Sequence, residues 1–97
     1  KMGARYICNN SNDINLLKQA LEFSDWTCLT DTELSLPYTY CINACLFYKL
    51  NKKEEAMKKI TKAIEMINKH SPEAPSLFRY KDVLNKMLNN EIDIKCF

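Results

Sequence analysis

Ninety-seven residues limit this chain to one domain, with a core near the lower bound for independent stability. Fourteen basic against twelve acidic residues leave a net charge of +2, too balanced to advertise nucleic acid or an anionic membrane as partner. One Gly and three Pro beside 46% hydrophobic residues exclude a turn-rich sandwich and predict an all-α chain of long helices.

No stretch reaches the ~18 continuous apolar residues of a membrane span, and no signal-peptide layout is present, so no membrane insertion is expected. Five cysteines, Cys8, Cys28, Cys41, Cys45 and Cys96, are an odd number without a repeated short spacing. Free thiols in a reducing cytoplasm or nucleus fit them better than a disulfide framework. The triplet Asn9-Asn10-Ser11 is a formal glycosylation sequon that carries no meaning without secretion. A chain opening Lys1-Met2-Gly3 reads as tagged, or as a segment of something longer.

Ala4 to Cys8 is short and apolar, and fits the end of a preceding helix. Asp13 to Phe23 carries Leu16, Leu17, Ala20, Leu21 and Phe23 at helical spacing, with Ser11, Asn12 and Asp13 as N-cap candidates, and predicts one amphipathic helix. From Ser24 to Leu36 the pattern lapses into Ser, Thr and Asp, side chains that compete for local backbone hydrogen bonds. A connection is expected there, with Trp26 packed down as an anchor and Thr30-Asp31-Thr32-Glu33 as a capping box for a short extra turn.

Pro37 suits the first turn of the next helix, Tyr38 to Lys49, and Asn51 tolerates the left-handed backbone that ends helices. Lys53 to Lys69 is the strongest helix in the chain. Ala56, Ile60, Ala63, Ile64 and Ile67 share one face, and Glu54 to Lys58 and Glu55 to Lys59 are favourable pairs one turn apart. Ser71-Pro72-Glu73 offers N-cap chemistry for a last helix, Pro75 can still sit near its start, and Leu77, Tyr80, Leu84, Met87 and Leu88 form its stripe. Asn89-Asn90 is a stop, and the tail after it is expected to be extended or frayed. The domain thus divides into a flanking helix (about 13–24), a hairpin (37–70), a capping helix (72–89) and a tail (90–97).

Two helices joined by the short link Leu50 to Lys52 must pack antiparallel, and small residues decide how closely. Ala44, flanked by Tyr40 and Phe47, is answered by Ala56 and Ala63 with Ile60 between them. In order and spacing, Tyr40, Ala44, Phe47, Asn51, Ala56, Ile60 and Ala63 resemble the tetratricopeptide repeat, over one repeat of ~34 residues from Pro37 to His70. Asn51 stands where that family usually has Gly, Asn43 where Leu is expected, and the usual terminal Pro is absent at Asn68, with Pro72 four residues late. No second copy appears at a fixed offset. The resemblance implies a short superhelix fragment of three to four helices, in which flanking helices cover the faces a single repeat cannot bury.

In that family a partner's peptide or helix commonly lies on the inner face made by the first helices. The resemblance carries this role to Tyr38, Cys41, Cys45, Tyr48 and Lys49, with Lys52 extending a basic edge. The same stripe is open to a plainer reading, as packing against the helix Asp13 to Phe23. Cys41 and Cys45 lie one turn apart, but a zinc site needs four ligands and His70 is the sole histidine, so small buried hydrophobes is the heavier reading, and no metal or cofactor is expected. The family's carboxylate clamp wants Lys and Asn on the inner face, where this chain has the two cysteines, and is expected to be absent. The interleaved Lys and Glu of the helix Lys53 to Lys69 predict an ordinary solvated face.

His70, at a helix end, is expected to cap it or face water. A lone Gly3 allows no glycine-rich phosphate loop, and no carboxylate pair sits in a recognisable motif. The expectation is therefore a non-catalytic interaction or scaffold module that binds another protein, as a peptide or helix, in an apolar groove with a basic edge. The alternatives are a structural fragment of a longer helical solenoid, and a three-helix adaptor of the microtubule-interacting and trafficking type. A helical domain of an enzyme would need its chemistry outside this chain.

Overall fold

A computed structural model describes residues 4–30, 36–70, 72–91 and 94. Among these the chain is all-α, with α1 Ala4–Asn10, α2 Ile14–Thr30, α3 Leu36–Lys49, α4 Lys53–His70 and α5 Pro75–Leu88. Consecutive helices pack on one another from α2 to α5, and α1 lies against both α2 and α3. The molecule measures 36 × 31 × 20 Å, and its smallest dimension is about two helix diameters.

The α2 start follows from Asp13, whose Oδ1 accepts hydrogen bonds from the backbone N-H groups of Asn15 at 2.9 Å and Leu16 at 3.4 Å. Contrary to expectation, α2 does not stop at Phe23 but runs on to Thr30. The polar side chains that argued for a loop turn back into the helix instead. Ser24 Oγ donates to the Leu21 carbonyl and Thr27 Oγ1 to the Ser24 carbonyl, both at 2.9 Å. Ser24 is buried, which adds tertiary support. The proposed capping box falls mainly on 31–35, outside the described residues.

Trp26 is not an anchor: it is 59% exposed, its ring 6.2 Å from that of Phe23, itself exposed. With α2 extended by two turns, Trp26 is carried onto the helix's outer side.

The hairpin α3–α4 forms as the spacing predicted. Lys52 N-H donates to the Phe47 carbonyl at 2.9 Å and Asn51 N-H to the Tyr48 carbonyl at 3.1 Å, with Asn51 at φ 63°. This pairing of bonds across a left-handed residue is a Schellman ending, which satisfies carbonyls the helix would leave open. Ala44, Ala56, Ile60 and Ala63 have no accessible surface, so the helices meet closely along the seam. Tyr40 closes the seam's edge, with Lys59 Nζ at 5.6 Å and Lys62 Nζ at 5.4 Å from its ring centroid. Lys59 therefore serves the ring rather than Glu55, which pairs with Lys58 at 3.6 Å.

The last helix begins at Pro75, three residues later than its first cap signal. Ala74 is the N-cap and makes no side-chain cap bond, while Pro75 takes the first turn, where its missing N-H costs nothing. It ends like α3, through Asn90 at φ 56°, with Asn90 N-H on the Met87 carbonyl and Glu91 N-H on the Lys86 carbonyl. The tail is not wholly frayed, because Ile94 is buried within the core with Val83 and Met87.

Candidate functional site

Alternation of helix direction brings four termini to one end of the molecule: the starts of α2 and α4 and the ends of α3 and α5. Three hydrogen bonds tie them. Tyr48 donates its hydroxyl to the Glu91 carbonyl at 2.6 Å, Lys53 Nζ donates to Asn90 Oδ1, and Lys49 Nζ reaches the Ser11 carbonyl at 3.3 Å. Two left-handed asparagines, Asn51 and Asn90, thus stand at the same end, each just after a helix end, and both line the hollow there.

Between these termini is a hollow of about 540 Å³, walled by Asn12, Ile14 and Leu17 from the α2 start, Tyr48, Lys49 and Asn51 from the hairpin bend, Lys53, and Asn90 and Glu91. A second hollow, of about 290 Å³, runs on along α2 past Lys18, Leu21 and Glu22 towards Leu50 and Lys52. The two share Ile14, Lys49 and Asn51, so they form one trough. Its apolar floor is Ile14, Leu17, Leu21, Tyr48 and Leu50, and of these Ile14 is 60% exposed.

The trough's charges are unequal. Lys18, Lys49, Lys52 and Lys53 line it against Glu22 and Glu91. Among the described residues none of those lysines is in an ion pair, since the two pairs are Lys58 with Glu55 and Lys86 with Asp82. The contacts made by Lys49 and Lys53 are to neutral oxygens, which orient the ammonium groups without neutralising them.

The stripe Tyr38, Cys41, Cys45 and Tyr48 does not lie open as one surface. Cys41 and Cys45 have no accessible surface, and α1 and α2, which bury Cys8, Leu17 and Ala20, pack on α3. Tyr38 and Tyr48, both half-buried, are left at opposite ends of α3, about 15 Å apart along the axis. A partner reaching Tyr48 reaches Lys49 and the exposed Lys52 with it, and does not reach Tyr38 or the cysteine side chains. Cys8, Cys41 and Cys45 are buried, and Cys28 is half-buried.

Sequence reasoning did not select Ile14, Lys18 or Asn51 as part of a surface. Ile14 falls on the same helical stripe as Leu17 and Leu21 and so reads as core; its position in the first turn, just after the Asp13 cap, carries it past the ends of the neighbouring helices. Compared with family models, with curated proteins and with solved structures, the chain matches none.

Proposed function

We propose that this chain is a non-catalytic protein-interaction or scaffold module of tetratricopeptide-like build, which holds a segment of another polypeptide in the trough at the hairpin end. The observation that carries the reading is the juxtaposition of an accessible apolar floor, led by Ile14, with Tyr48, Lys49 and Lys52 on a frame of helix termini tied by hydrogen bonds. A rigid concave surface with an apolar floor and a few placed polar groups is what peptide recognition requires. The order and spacing of Tyr40, Ala44, Phe47, Ala56, Ile60 and Ala63 in the sequence support the tetratricopeptide-like part, and an odd number of cysteines without a repeated short spacing supports work in a reducing compartment such as the cytoplasm.

The test is selection of a displayed library of random short peptides on the whole chain, repeated on Ile14→Asp. Ile14 is exposed enough for the substitution to leave the fold intact. A consensus enriched on the parent chain and lost on the variant is expected. No consensus, or one that Ile14→Asp retains, would sink the reading.

A second reading, a structural unit of a longer helical stack, is favoured by a different surface. Phe23, Trp26 and Leu29 are all exposed on α2, Leu29 at 86%, and α2 and α5 are the outer members of the helix row. A neighbouring helix pair would cover such a face.

A further inference from the structure

We infer that the segment held in the trough is acidic, with an apolar side chain seated on Ile14 and carboxylates on either side of it. The inference rests on the interaction reading above and adds the chemistry of the partner. Among the described residues, four lysines, Lys18, Lys49, Lys52 and Lys53, border a trough that offers two carboxylates, Glu22 and Glu91. The whole chain has a net charge of only +2, so this local excess is not a sample of a generally basic surface.

The contrast with the rest of the hairpin sharpens the point. Along α4, Lys58 is paired with Glu55, and Lys59 and Lys62 lie over the ring of Tyr40. Those cations are already used within the fold. Lys49 and Lys53 are held by a carbonyl and an amide oxygen, and Lys52 is exposed at the bend, so among the described residues none of the three is in an ion pair at the trough's rim. An occupant with carboxylates would meet three cations at Lys49, Lys52 and Lys53 of one bend, which is charge complementarity. The apolar floor then demands a side chain between those carboxylates. A basic or purely polar segment would leave the lysines opposed or Ile14 uncovered.

The test uses the peptides selected on the whole chain, read for charge, with one member synthesised and titrated at low and high salt against the parent and Lys52→Glu. Acidic residues flanking an apolar one are expected, with binding that weakens as salt rises and falls by about tenfold on Lys52→Glu. Thermal melting of Lys52→Glu is expected to match the parent, because Lys52 is exposed. A consensus that depends on Ile14 yet lacks acidic residues, or whose affinity is indifferent to salt and to Lys52→Glu, would overturn the inference while leaving the interaction reading standing. Absence of any Ile14-dependent consensus would remove both.

Discussion

Asn43 is fully buried midway along α3, and its amide Nδ2 donates to Ser24 Oγ at 2.9 Å and to Asp25 Oδ1 at 2.7 Å. Those bonds join α2 to α3 at one height, so the amide does more than fill space: a slide of one helix past the other would strand a buried donor. Its Oδ1 accepts from no group among the described residues. Asn43→Ala is expected to destabilise the fold by about 1–3 kcal/mol, from lost hydrogen bonds and a small cavity. A double-mutant cycle with Ser24→Ala, read by urea denaturation, should return a coupling of about 0.5–1.5 kcal/mol, and additive effects would show that the pair does not act together. Asn43 was legible as a departure from the resembled pattern, and its reason was not. The partner residues lie 19 and 18 positions earlier in a segment whose composition argued against a helix, and only helical backbone aims Ser24 at α3. Ser, Thr and Asp weigh against a helix when their side chains are free to compete; at Ser24 and Thr27 they bond within it.

At the scale of elements, the hairpin was the most readable part because its two signals are local. A left-handed Asn ends α3, and alanines seven apart on α4 set how near the helices come. The seam has no spare volume at Ala56, so Ala56→Leu is expected to cost about 1–3 kcal/mol through overpacking, measured as a fall in the denaturation midpoint. Thr61→Leu, on the exposed side of the same helix, should stay within about 0.5 kcal/mol of the parent. Equal effects at the two positions would mean that α3 and α4 do not meet along Ala56. At the beginning of α5 the local signals were two, Ser71-Pro72-Glu73 and Pro75, and the helix begins at the second, behind an Ala74 that makes no side-chain cap bond. In the tail, residues 92–93 and 95–97 lie outside the described residues, and Ile94 is buried as part of the core cluster. Elements whose limits come from neighbours are poorly marked in their own residues.

In the molecule as a whole, the two ends of the helix row have different characters. One has Tyr48, four lysines and two left-handed asparagines gathered by converging termini; the outer side of α2 has Phe23, Trp26 and Leu29 exposed. Periodicity marked the stripe on α3 and left open whether a partner or the helix from Asp13 covers it; Cys41 and Cys45 have no accessible surface, and α1 and α2, with Leu17 and Ala20 buried, pack on α3. What remained accessible is its Tyr48 end, joined by Ile14 from a helix some thirty residues earlier. No helix among the described residues is long and apolar enough to cross a membrane. Under the proposed function a partner peptide seats at the hairpin end. Titration of the isotopically labelled whole chain with a selected acidic peptide, followed by backbone-amide NMR, tests it most directly. The account predicts shifts concentrated in residues 12–22, 48–53 and 90–91; shifts centred on Phe23, Trp26 and Leu29, or on Tyr38, would contradict it.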